Sequence, residues 1–362
     1  MRAASSRWCG APFTTTPLSV ALTEVCTSCS AIETRHMITD IHCHYVPDAF
    51  LAFISAHREF QVARLRSDEE TISFNIRGAE LGLNKTFFEM PRQVARMSQV
   101  GVERTVLSLA TPFIDYRVDR RLATRAASIF NDGLAEVIGK DRDRFGAWAF
   151  LSMQDPHAAA DELRRCVRDY GFAGGHLGSN VCGVYLQDPA FNPVYEAALD
   201  LDVPLFVHPL DPLGKDRTRD FELTIVAGYL FDNTINFLSL ICSGFLDRWP
   251  NLKLICAHTG ALTLILRGRM QREIDTNPGL SSLLKAPVTE YLQRLYYDTV
   301  CFEPAILRYA ASVVPLSHLL LGSDAPFPLG EPDPVNFVRR SLDAAQSDSI
   351  LNRNFEMLIG LN

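Results

Sequence analysis

No uninterrupted apolar run in this 362-residue chain approaches the ~18 residues that a helix needs to cross a bilayer, so the sequence offers no spanning segment and no membrane partner is expected. Basic residues are in deficit: 35 Lys and Arg against 42 Asp and Glu leave a net charge of −7, which argues against a general nucleic-acid partner, because such binding draws on clustered cations. Low-complexity tracts and internal repeats are missing. A disulfide pattern is missing too. The nine cysteines are an odd number scattered along the chain, which predicts free thiols and a cytoplasmic protein. Cys26 and Cys29 in "CTSC" have redox or zinc half-site spacing, but no second pair follows, so the spacing reads as coincidence. With 47% apolar and 21% charged residues the chain has the balance of a folded globular protein, which excludes wholesale disorder.

Residues 1–36, rich in Ser, Thr, Ala and Cys, carry no hydrophobic period and read as an extension added to the core. Arg2 and Arg7 beside Ser and Thr suit a transit peptide; Glu24 and Glu33 do not, and Met37, directly before the first strand, suits an upstream start on a complete domain. From 37 to 362, eight short apolar or β-branched runs alternate with helical patterns: "ITDIHC", "RTVLSLA", "FGAWAFL", "FAGGHLG", "PLFVHP", "LKLICAH", "LYYDTV" and "HLLLGSD". Repeated βα units of this number predict an α/β fold, a closed (β/α)8 TIM barrel, with chemistry at the C-terminal strand ends. Between the strands, "DPHAAADELRRCVRDY" has Asp155 as cap, Pro156 as first helical residue and Leu163, Cys166, Val167 and Tyr170 at helical spacing. Residues 45–91 are too long for a plain connection and alternate around "TISFNIRG", which predicts a hairpin-bearing insertion over the barrel mouth.

Those strand ends hold the candidate chemistry. In "DIHCH", His42 and His44 are two apart, so on a strand they share a face and converge. His208 ends the fifth run and Asp324 the eighth; with the first pair they make three imidazoles and a carboxylate, a set that suits one divalent ion, Zn2+ first, with Mn2+ or Co2+ also admitted. Each residue alone has a plainer explanation as a satisfied core histidine or a helix cap; four at one barrel face do not. His258, before the small-residue turn "TGA", is assigned acid/base work, with a further ligand or a structural hydrogen-bonder as alternatives. His176 in "GGHLGSN" reads as structural, and Asp298 also lies at a strand end, the seventh.

Taken in order, "DIHCH", "FVHP", "LKLICAHTGA" and "LGSDAPFPLGE" resemble the aminocarboxymuconate-semialdehyde decarboxylase branch of the amidohydrolase superfamily across residues 37–361. The resemblance implies a mononuclear metal held by His42, His44, His208 and Asp324, catalysis by His258 with Asp324, and no bridging carbamate, since the fourth strand has no lysine. It also implies a homodimer, in which Arg269, eleven residues after His258, reaches the neighbouring site, and an insertion arginine, for which Arg77 is the candidate, that binds a substrate carboxylate. Leu210 departs from the family, which has an aromatic residue there. The expected activity is non-oxidative decarboxylation of a small aromatic or unsaturated acid. Hydrolysis or hydration by the same metal is the alternative, and a barrel serving only as a binding scaffold is the third reading.

Overall fold

The alternating pattern becomes, in a computed structural model that describes residues 36–360, eight parallel strands that pair in chain order. They are Thr39–His44, Arg104–Ser108, Phe145–Phe150, Gly174–Gly178, Leu205–His208, Leu254–Cys256, Tyr296–Asp298 and Leu319–Leu320. Closure is made by backbone: Ile41 donates to the Leu321 carbonyl at 2.8 Å, Asp324 to that of His42 at 2.8 Å and His44 to that of Ala325 at 2.7 Å. Eight parallel strands with helices on the connections are the (β/α)8 barrel that the sequence predicts. The extension assigned to the first 36 residues, with Cys26 and Cys29, lies outside the described residues apart from its last one.

Six strands each contribute one fully buried side chain to a common cluster, Ile41, Val106, Trp148, Phe206, Ile255 and Leu320, which fills the barrel interior. Here the first strand does something that strict alternation does not allow. Its pairing with the second runs Thr39 to Arg104 and Asp40 to Thr105, then resumes at Cys43 to Leu107, so Ile41 and His42 together oppose Val106. This bulge changes the parity of the strand. Ile41 packs into the interior, and His42, the next residue, also faces inward, its ring 4.9 Å from Phe206.

Outside the barrel, Asp155 caps its helix through the Ala158 amide at 3.2 Å; Pro156–Arg165 is α-helical and widens into a π turn at Cys166–Tyr170 before Gly171 (φ 72°) ends it. Asp220–Cys242 is long and apolar enough to cross a membrane by length and composition, yet its Asp232, Asn233 and Asn236 are buried and hydrogen-bonded to neighbouring barrel loops, the role of a covering helix. In the segment after the first strand, helix Asp48–Ala56 leads into an antiparallel meander of Val62–Ser67, Thr71–Ile76 and Ala79–Asn84. Its second turn is Arg77-Gly78, both at positive φ (50° and 85°), the geometry that two-residue hairpins favour. This small sheet leans on the barrel rim. Asn84 Nδ2 donates to the Pro326 carbonyl at 2.6 Å, and Phe87 packs edge-on against Phe327 at 4.8 Å.

Candidate metal centre

His42, His44, His208 and Asp324 are brought to one point inside the barrel mouth: one donor atom from each lies within 4.8 Å of all the others, and all four residues are buried. Asp324 reaches the point from a left-handed backbone (φ 60°), which aspartate tolerates better than most residues. Its Oδ1 stands 3.0 Å from His44 Nε2 and 3.2 Å from His42 Nε2.

Which nitrogen of each imidazole faces the centre follows from what holds the other one. His42 Nδ1 donates to Asp298 Oδ2 at 2.6 Å. Ser108 Oγ gives its proton to the Cys43 carbonyl at 3.1 Å, so it accepts from His44 Nδ1 at 3.0 Å. His208 Nδ1 lies 3.1 Å from the Pro209 carbonyl, which can only accept, and 3.0 Å from Thr111 Oγ1. All three rings therefore carry the proton on Nδ1 and turn an Nε2 lone pair inward. His42 Nε2 and His208 Nε2 have no hydrogen-bond partner among the described residues. Three ring nitrogens and a carboxylate converging on one point, with the outer nitrogen of each ring already committed, make a cage for a cation, and the residues fit a divalent ion.

The electrostatics of the metal-free site carry the same message. Burial works against a charged His42, but the Asp324 and Asp298 carboxylates outweigh it and bring its pKa up to about 10. Burial pushes His44 down and His208 well below the ordinary imidazole range. Burial also opposes an ionised Asp324, and the His42 charge together with the adjoining His258, His42 and His44 rings holds it well below the usual carboxylate range. One proton on His42 thus stands where a metal cation would sit.

His258 stands beside the four donors and is not one of them. Its Nε2 is 3.5 Å from Asp324 Oδ2, its Nδ1 has no partner among the described residues, and its ring centre lies 5.3 Å from that of His42 and 5.1 Å from that of His208. The backbone there turns sharply: His258, Thr259, Gly260 and Ala261 all have positive φ, from 53° to 70°. Non-glycine residues seldom adopt that conformation, and here hydrogen bonds from the His258 and Thr259 amides to Asp298 hold it in place.

The arginines are placed differently. Arg77 lies at the mouth, in a cleft lined also by Thr111, Asn180, Leu210, Lys215 and Tyr229, where its Nη2 donates to the Pro112 carbonyl at 2.8 Å and its Nη1 is 3.6 Å from Asp115. Arg269 lies on the outer helix Thr263–Thr276, exposed, beside a groove formed with Leu238, Cys242, Leu266 and Met270. His176 is fully buried one layer below the centre, stacked on Phe206 at 5.7 Å, with both ring nitrogens unpartnered among the described residues and burial holding its pKa well down. Sequence reasoning missed the groups that orient the ligands. Ser108 and Thr111 gave no signal, being common residues near a strand end, whereas Asp298 was visible at the seventh strand end without its partners.

A closed parallel barrel with imidazoles and a carboxylate converging at the strand ends defines a metal-dependent barrel enzyme. Residues 39–360 match the amidohydrolase family model, and the chain belongs to that family. Among curated relatives, the 2-amino-3-carboxymuconate-6-semialdehyde decarboxylase of Dictyostelium discoideum is 28% identical over 274 residues, 75% of this chain and 76% of the relative. The 5-carboxyvanillate decarboxylase of Sphingomonas paucimobilis has the same fold, with a TM-score of 0.78 at 23% identity over 90% of this chain and 99% of that one. A dihydroxybenzoic acid decarboxylase of Polaromonas sp. JS666, solved with bound manganese and 2-nitroresorcinol, aligns with a TM-score of 0.71 at 24% identity over 90% of this chain and 98% of that one.

Proposed function

We propose that the protein is a metal-dependent decarboxylase that removes CO2, without oxidation, from a small aromatic or unsaturated carboxylic acid. The observation that carries this reading is the cage of four inward-facing acceptors with a separate imidazole, His258, beside it, in a chain whose relatives decarboxylate such acids. His42, His44, His208 and Asp324 would hold the ion, and zinc is our first choice for three imidazoles and one carboxylate. When bound, a divalent ion supplies Lewis-acid polarisation of a substrate oxygen.

The chain's own residues supply the rest. The carbon–carbon bond to the carboxylate breaks, its electron pair stays on the substrate carbon, and that carbon takes a proton. We assign delivery of this proton to His258; the Asp324 Oδ2 contact at 3.5 Å, which can accept from the same ring and set its direction, supports the assignment. Arg77, part-buried in the mouth cleft that Arg117 and Lys215 also line, is our candidate for binding the incoming carboxylate. The working unit is a homodimer in the cytoplasm: an exposed arginine beside an apolar groove suits a partner's surface, and the described cysteines, Cys43, Cys166, Cys182, Cys242, Cys256 and Cys301, are free thiols. The deciding experiment loads metal-stripped protein with zinc, manganese or cobalt and measures CO2 from hydroxybenzoates, carboxylated phenols and muconate semialdehydes. Release that depends on metal and disappears in His258→Ala is expected. Incorporation of water into a substrate with no CO2 from any acid would replace decarboxylation by hydrolysis or hydration.

A further inference from the structure

We propose that Asp298 is a positioning residue that sets two parts of the centre at once, the tautomer of His42 and the backbone that carries His258. It ends the seventh barrel strand and is fully buried. Its Oδ2 accepts from His42 Nδ1 at 2.6 Å and from the His258 amide at 2.9 Å; its Oδ1 accepts from the Thr259 amide at 2.7 Å and the Val300 amide at 3.1 Å. Thr259 Oγ1 adds a bond to the Asp298 carbonyl at 3.0 Å. Every partner of the side chain is a donor. Only an ionised carboxylate accepts from all four, because a carboxamide must turn an NH2 toward one pair of them.

The two ways of placing that amide fail differently. With NH2 toward Thr259 and Val300, donor faces donor and the left-handed turn under His258 is pushed out of place. With NH2 toward His42, the ring must accept through Nδ1, so its proton moves to Nε2 and blocks the lone pair that faces the metal. The chain just past the eighth strand leaves room for this arrangement: a methyl on Gly322 would lie 2.9 Å from Asp298 Cβ, too close, and 3.0 Å from His42 Cβ, a tight contact. A carboxylate behind a ligating histidine is a known way of fixing the ring and raising its basicity. Here the same carboxylate also holds the acid/base residue, so metal affinity and the placement of His258 are coupled through one side chain.

This inference rests on reading His42 as a ligand, and the test separates the two claims. Zinc affinity is measured by competition with a chelator for native protein, Asp298→Asn and His42→Ala. Expected are tight native binding, about 10- to 100-fold weaker binding in Asp298→Asn, and a larger loss in His42→Ala. Asp298→Asn within about twofold of native, with its fold retained by circular dichroism, overturns the role of Asp298 and leaves the metal reading intact. Native protein that binds none of zinc, manganese or cobalt overturns the metal reading and this inference with it. A second readout needs no variant: in zinc-loaded native protein the His42 ring must carry its proton on Nδ1, seen as a downfield, slowly exchanging signal coupled to that nitrogen. A proton on Nε2, or none, overturns the proposal.

Discussion

At the scale of single residues, His258 differs from the three inward-facing histidines in what holds it. Each of those donates through Nδ1 to a fixed acceptor, whereas His258 Nδ1 has no partner among the described residues and the ring's one side-chain contact is the long 3.5 Å approach of Nε2 to Asp324 Oδ2. A ring held that way can exchange a proton with substrate without disturbing a ligand. His258→Ala is therefore expected to keep the metal content of the native protein and lose about 10²- to 10⁴-fold in turnover, while His208→Ala loses metal. Metal analysis beside steady-state rates checks both. Loss of metal in His258→Ala with retention in His208→Ala would exchange the roles assigned to the two. The residue scale is also where family resemblance reached furthest, since the ligand set read from "DIHCH", "FVHP" and "GSD" is the set that converges in space.

At the scale of elements, the turn after the sixth strand is the part of the barrel most specialised for chemistry. Four consecutive residues at positive φ aim His258 across the mouth, and Gly260 within them (φ 70°) packs against the ring of Tyr297. A methyl at Gly260 would stand 2.7 Å from Tyr297 Cε1, in addition to the backbone strain. Gly260→Ala is expected to cost about 1–3 kcal/mol of stability and to lower turnover by displacing His258, as read by urea denaturation and kinetics on the same sample. Native stability with native turnover would show that the turn adapts. The bulge on the first strand is a second such device. Alternation correctly put His42 and His44 on one face, but it gave no hint that Ile41 also points inward, because a bulge is a property of the pairing between two strands and not of either sequence alone.

For the whole molecule, the question is whether one chain is a complete enzyme. Arg269 projects from an outer helix, beside the groove lined by Leu238, Cys242, Leu266 and Met270, and so belongs to a surface that a second copy can cover. If it serves the partner's site, Arg269→Ala and His42→Ala should each be nearly inactive alone and recover partial activity when mixed. Random pairing puts a heterodimer in about half of all dimers, and only one of its two sites is whole, which bounds the recovery. No recovery, with subunit exchange demonstrated independently, would place the arginine's effect within its own chain or remove it.

The sequence by itself determined the barrel, its eight strands and the four converging donors, because these follow from local rules: period-2 alternation, apolar runs bounded by turns, and the rule that barrel chemistry collects at C-terminal strand ends. Tertiary structure alone decided the rest. That Asp298 binds His42, 256 residues away in the chain, and that Ser108 and Thr111 fix the other rings depends on which strand ends become neighbours when the barrel closes. Arg77 illustrates the same limit from the other side: its sequence position could not say that it would occupy a left-handed turn, donate to Pro112 and lie beside Asp115. Local pattern specifies elements, because it acts through backbone geometry and burial of one face; the orientation of a side chain in a site is set by hydrogen-bond partners that are distant in sequence, and those exist only once the chain has folded.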